Sequence, residues 1–165
     1  MIRPDLHRRV REYANGEGLQ LGEQLGSGVH GIVFDATKQT NQGRVALKVH
    51  ERDTAYYRER DVYLRLQSLG ITQVCGCNVP QLVDFNDDLM VIQMTIVTRP
   101  FVLDFGGAYL DKPPDFSDEV LADWEADKLE QFGSRWADVK AVLASLEGYG
   151  IFMVDVNPGN VAFMD

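Results

Sequence analysis

Apolar positions change their period several times along the chain, and each change marks an element. Leu6, Val10 and Tyr13 recur at helical spacing between Pro4 and Ala14, which predicts a short helix ended by Asn15-Gly16-Glu17-Gly18. Leu19 to Leu25 predicts a first strand. Ile32-Val33-Phe34-Asp35-Ala36-Thr37, rich in β-branched and aromatic residues, predicts a second, with Asn41-Gln42-Gly43 as a hairpin turn and Arg44 to His50 as its partner. The period then lengthens: Tyr56, Val62, Tyr63, Leu66 and Leu69 are spaced by threes and fours, as on one buried helix face. Glu59 lies one turn before Tyr63 on that stripe, so its carboxylate is expected to point inward. Val79 to Phe85 and Leu89 to Val97 read as two further strands around a tight turn at Asn86-Asp87-Asp88. The expectation is an α+β fold with five antiparallel strands crossed by one helix.

Beyond residue 98 the pattern turns irregular. Pro100, Gly106, Gly107, Pro113 and Pro114 exclude a long helix before Phe116. Ser117 is then a suitable N-cap for a helical region. One stripe there comprises Leu121, Trp124, Leu129 and Phe132, and a stronger one comprises Trp136, Val139, Val142, Leu143 and Leu146. The second helix is expected over about residues 133 to 147, stopping at Gly148.

The chemistry concentrates where the second strand begins. Leu25-Gly26-Ser27-Gly28-Val29-His30-Gly31-Ile32-Val33 places three glycines between two strands, and Val45-Ala46-Leu47-Lys48 follows one hairpin later. Glycine removes the Cβ atoms that would hold backbone away from a triphosphate, and Gly28 is the position expected to take positive φ at the turn. A dinucleotide fingerprint would require a helix after the glycines, whereas a strand follows here. An inward Glu59 facing an inward Lys48 suggests an ion pair; Glu51 is too close to the end of the lysine strand. Farther on, Asp155-Val156-Asn157-Pro158-Gly159-Asn160 repeats a D-x-x-x-x-N spacing.

On these motifs, G-x-G-x-x-G-x-V, V-A-L-K, the inward glutamate and D-x-x-x-x-N, the chain resembles the protein-kinase-like superfamily, including its small-molecule and atypical bacterial members, over about residues 19 to 165. The resemblance implies a single minimal domain, with an N-lobe to about residue 97 and a reduced, mostly helical C-lobe over residues 98 to 165. It implies an ATP site formed by Gly26, Ser27, Gly28, Gly31, Val33, Ala46, Lys48, Met94 and Ile96, with backbone between Met94 and Val97 bonding adenine. Lys48 would orient the phosphates, Glu59 would hold Lys48, Asp155 would engage the proton of a hydroxyl acceptor, and Asn160 would hold magnesium. The acceptor is the protein itself, another protein or a small molecule. A pseudokinase that works by binding nucleotide or a protein partner is the alternative.

The sequence also departs from the family. His-Arg-Asp is Met153-Val154-Asp155 here, which removes the arginine that reads a phosphorylated activation loop. Asp-Phe-Gly, whose aspartate binds magnesium, normally follows the catalytic loop, yet only five positions follow Asn160. Asp165 is therefore expected to serve as a substitute metal ligand. Asp104-Phe105-Gly106 spells the motif but precedes the catalytic loop, and its order marks it as coincidence, with Asp104 near the ribose edge.

Composition narrows the remaining classes. Sixteen Lys and Arg against 25 Asp and Glu give a net charge of −9, unfavourable for nucleic acid phosphates. No apolar run approaches the roughly 18 residues of a membrane span, and the basic N-terminus lacks an apolar signal core, so a cytoplasmic location is expected. Cys75 and Cys77 lack neighbouring ligands for zinc and the spacing for an unstrained disulfide, and read as reduced thiols in a connection. His7, His30 and His50 form no metal pattern; His30, at the tip of the glycine loop, reads as a solvated residue, with contact to a phosphate as the alternative.

Overall fold

The computed structural model describes residues 4–40 and 43–164. Helix α1 (Pro4–Gly16) comes first, followed by strands β1 (Leu19–Ser27), β2 (Gly31–Lys38) and β3 (Arg44–His50) and helix α2 (Asp53–Ser68). A small hairpin, β4 (Gln73–Val74) and β5 (Cys77–Asn78), leads to β6 (Leu82–Asn86) and β7 (Val91–Met94). Two short strands, β8 (Phe101–Val102) and β9 (Tyr109–Leu110), precede helices α3 (Asp118–Phe132) and α4 (Trp136–Gly148), and β10 (Ile151–Phe152) and β11 (Val161–Ala162) complete the order.

The five expected strands form one antiparallel sheet, in the order β1-β2-β3-β7-β6. Its central strand β3 is buried on both faces because a helix covers each. Val45, Leu47 and Val49 face α1 together with Leu6, Val10 and Tyr13, while Ala46 belongs to the larger core shared with α2 and α4. This period-2 division points Ala46, Lys48 and His50 toward α2. The basic N-terminal segment has a defined role: buried Arg9 donates from Nη1 to the Leu89 carbonyl at 2.6 Å and from Nη2 to that of His50 at 2.8 Å. Asp5 holds its Nε at 2.9 Å, so the long side chain enters the fold with its charge paired.

Helix α2 buries Tyr56, Glu59, Val62, Tyr63 and Leu66, as the spacing predicts, although Leu69 lies at its C-cap and is exposed. The expected turn at Asn41-Gln42 lies outside the described residues. Cys75 and Gly76, both at positive φ, turn the hairpin between β4 and β5, and both thiols are free.

The C-terminal half departs more from expectation. Ser117 caps α3 as predicted, its Oγ accepting from the Val120 N–H at 3.2 Å. Of the expected stripe, Trp124 and Phe132 pack against the core, whereas Leu121 and Leu129 are exposed, and Lys128 is the buried residue of this helix. What holds α3 is aromatic: the Trp124 ring meets Trp136 edge-on at 5.7 Å, and its Nε1–H donates to the Val154 carbonyl at 2.9 Å. Helix α4 buries all five predicted residues. The segment expected to be irregular contains β8 and β9, and each pairs with a strand flanking the D-x-x-x-x-N loop. β9 pairs antiparallel with β10 before that loop, and β8 pairs antiparallel with β11 after it. Two-residue strands carry too little sequence pattern to be read; their partners define them.

No helix of the described residues is long and apolar enough to cross a membrane.

Candidate functional site

A cleft of about 520 Å³ lies between the sheet and the loops that follow β8 and β10. That volume is in the range of small-molecule sites. Gly26, Ser27, Gly28, Gly31, Val33, Ala46, Lys48, Met94 and Ile96 all line it, together with Glu59, Asp155 and Asn160. The fold thus brings together every residue the sequence singled out, with the exception of Asp165, which lies outside the described residues.

The polar centre of the cleft is a buried charge cluster. Lys48 Nζ is 2.7 Å from Glu59 Oε1 and 2.8 Å from Asp104 Oδ1. Glu59 is fully buried, and a charge there requires several donors. It has them: His50 Nε2 lies 2.7 Å from the same Oε1, and the Phe105 backbone N–H donates to Oε2 at 2.7 Å. Burial alone would push the Lys48 ammonium toward the neutral form, but the carboxylates of Glu59 and Asp104 outweigh it and raise its pKa. Burial would likewise raise that of Glu59; the Lys48 charge and the His50 hydrogen bond outweigh it and hold the carboxyl well below its usual range.

Asp104-Phe105-Gly106 is therefore not incidental, and Asp104 does not stand apart at a ribose edge. It touches Lys48 because β8 sets the preceding residues beside β11, with the Leu103 N–H donating to the Asn160 carbonyl at 2.9 Å. Phe105 is fully buried, with its ring edge-on to Tyr63 at 5.4 Å, which anchors the segment under α2. The three-residue string is legible in the sequence; its position ahead of the D-x-x-x-x-N loop conceals its place in space.

Asn160 is buried with its amide engaged inside its own loop. Nδ2 donates to the Asp155 carbonyl at 2.9 Å, and Oδ1 accepts from the Asn157 N–H at 2.9 Å. One lone pair of Oδ1 remains. Among the described residues no group of three His, Cys, Asp or Glu is placed to hold a metal ion. One carboxylate at Asp104 and one amide oxygen at Asn160 fit magnesium, which keeps several waters and shares phosphate oxygens, better than a metal that needs a full protein cage.

The glycines divide by role. Positive φ falls at Gly31 (157°), not at Gly28, and a Cβ on Gly31 would stand 2.0 Å from the Val49 carbonyl oxygen. A Cβ at Gly26 or Gly28 would meet nothing within 4 Å. Gly31→Ala is expected to cost about 2 kcal/mol or more, a clash with fixed backbone, and to lower the melting temperature. Gly28→Ala is expected to leave that temperature nearly unchanged, because a Cβ there enters open space. Thermal melts of both variants separate the two roles; equal melting temperatures would refute the division.

His30 is not a solvated tip residue. Its side chain is 21% exposed, and Nε2 lies 3.2 Å from Asp155 Oδ2 across the cleft.

No protein-family model matches this sequence, and no curated protein matches it, so the reading of the site rests on its own geometry.

Proposed function

We propose that the chain binds Mg-ATP in this cleft and transfers the γ-phosphoryl to a hydroxyl acceptor. The observation that carries the reading is the convergence of Lys48, Glu59 and Asp104 within 2.8 Å contacts in a cleft roofed by the glycine loop. A buried lysine held by a buried carboxylate is costly as structure alone, and hydrophobic residues of similar size are often at least as stabilising. The cluster suits phosphate chemistry, since it presents a fixed cation to the α- and β-phosphates and sets Asp104 beside it for the metal. Asp104, and not Asp165, is the carboxylate of this assignment.

Asp104 and Asn160 would hold magnesium, which would supply charge neutralisation for the phosphates. The chain does the rest. Glu59 fixes Lys48, and the glycine loop covers the phosphates and excludes water. The half-exposed carboxylate of Asp155 receives the proton of the acceptor hydroxyl as its oxygen bonds phosphorus and the bond to the β-phosphate oxygen breaks, releasing ADP. Met94, Thr95, Ile96 and Val97 line the end of the cleft suited to adenine.

A non-catalytic binding module is the second reading. The internal engagement of the Asn160 amide and the exposed Val120, Leu121 and Leu129 of α3 favour it. Calorimetric titration with ATP, with and without magnesium, followed by mass spectrometry for transferred phosphate, decides between them. The catalytic reading expects magnesium-dependent heat, at least tenfold weaker binding in Lys48→Met, and phosphate transfer lost in Asp155→Asn. Binding without transfer would establish the module, and no heat at millimolar ATP would remove both nucleotide roles.

A further inference from the structure

The contact between His30 and Asp155 joins the glycine loop to the D-x-x-x-x-N loop across the cleft, and the surrounding residues are built around it. A carboxylate only accepts, so His30 Nε2 carries the proton and donates it to Asp155 Oδ2 at 3.2 Å. The imidazole rests on Gly106 and Gly107. A Cβ at Gly106 would lie 2.9 Å from His30 Cγ, and one at Gly107 would lie 2.9 Å from Asp155 Cβ and 3.6 Å from His30 Nε2. Any side chain at either glycine would force the pair apart. The pair thus sits in a notch made by two consecutive residues without side chains, directly after Asp104-Phe105. The loop that carries His30 is itself anchored, with the Gly28 N–H donating to the Gly31 carbonyl and the Glu51 N–H to the His30 carbonyl, both at 3.0 Å.

Asp155 has two carboxylate oxygens, and the proposed reaction uses one of them. Its backbone is fixed by the Asn160 amide. Its side chain is half exposed, and a half-exposed aspartate rotates freely about its side-chain torsions unless something holds one oxygen. His30 holds Oδ2 and leaves Oδ1 for the acceptor.

We propose that His30 is a positioning residue that couples closure of the glycine loop to the orientation of Asp155, so that the base is aligned only when the loop lies over the phosphates. The proposal rests on the phosphotransferase reading above. It makes the loop a reporter as well as a cover: an open loop leaves Asp155 misaligned, and water gains little from it.

Three substitutions separate the hydrogen bond from the packing. His30→Phe keeps a ring in the Gly106-Gly107 notch and removes the donor, His30→Gln restores an N–H near the place of Nε2, and His30→Ala removes both. ADP release from Mg-ATP, with water as acceptor, is measured for each as kcat and KM. The expected result is a loss of about ten- to a hundredfold in kcat for Phe and Ala, the scale of a misplaced reacting group, with KM for ATP within about twofold and recovery of most of the rate in Gln. In the nucleotide-free protein, amide exchange at Gly28 and Gly31 is expected to quicken in both His30→Phe and Asp155→Asn. Wild-type kcat in His30→Phe, a Gln variant no better than Phe, or unchanged exchange in both variants would each overturn the proposal while the phosphotransferase reading stands. Absence of any Mg-ATP turnover in the unmodified protein would instead overturn that reading, and this inference with it.

Discussion

Asp104→Asn is expected to lower phosphoryl transfer by about a hundredfold or more, the scale of losing one preorganised electrostatic group, whereas Asp165→Asn is expected to leave the rate near that of the unmodified protein. The asparagine has nearly the shape of the aspartate and retains an oxygen for Lys48, so the fold should persist. What it lacks is the negative charge, which pairs with the Lys48 ammonium 2.8 Å away and, in the proposed function, would also hold the metal. Single-turnover phosphoryl transfer, measured across a magnesium titration, distinguishes the two. If Asp104 serves the metal, the variant needs much more magnesium for half its maximal rate. A rate and magnesium dependence equal to those of the unmodified protein would return Asp104 to a structural role.

The largest expected effect on stability is at Glu59. In Glu59→Gln the side-chain volume is almost unchanged, but three donors converge on a group that now brings two N–H bonds of its own. Lys48 and His50 both address Oε1, and the Phe105 N–H addresses Oε2, so no orientation of the amide satisfies all three. Breaking a buried pair by removing one charge costs about 3–5 kcal/mol. Asp104 still holds Lys48, which favours the lower end. That loss corresponds to a fall in melting temperature on the order of 10 °C for a chain of this size. The pH dependence follows from the same contacts. The folded carboxyl titrates below its unfolded value, so the stability it contributes is fully present at neutral pH. It begins to be lost as pH falls past the unfolded value of about 4.3 and continues to be lost toward the depressed folded value. Denaturant unfolding at a series of pH values should show a steep acid limb in the unmodified protein and a shallower one in Glu59→Gln. Parallel limbs would mean that Glu59 is not the group responsible.

The N-terminal half is largely legible in the sequence because its elements are long enough to impose a period. Glu59 can be placed inward from its position one turn before Tyr63, and Lys48 belongs to the same interior by alternation along β3. The rest is hidden for physical reasons. β8 and β9 are two residues each, and what defines them is pairing with β11 and β10, which no local pattern records. Asp104 is misread from the sequence because order along the chain is not order in space. His30 gives one usable signal, two adjacent glycines at 106 and 107, whose lack of side chains has meaning only once the glycine loop is known to close on them. The α3 stripe is half right: its aromatic members, Trp124 and Phe132, pack on Trp136, while its leucines, Leu121 and Leu129, stay exposed.

The pairing of β8 with β11 also sets a schedule. Phe101 lies opposite Ala162, and Val102 opposite Val161, so β8, which β5 flanks on its other side, gains its second neighbour from a segment translated long after it. The five-stranded sheet, α1 and α2 are all made earlier and have their own local contacts. On a ribosome, the glycine loop and Lys48 therefore emerge and fold around a cleft whose floor does not yet exist, and closing the long connection through α3 and α4 is the slow, entropically costly step. Until β11 itself has been synthesised, β8 has β5 alone beside it.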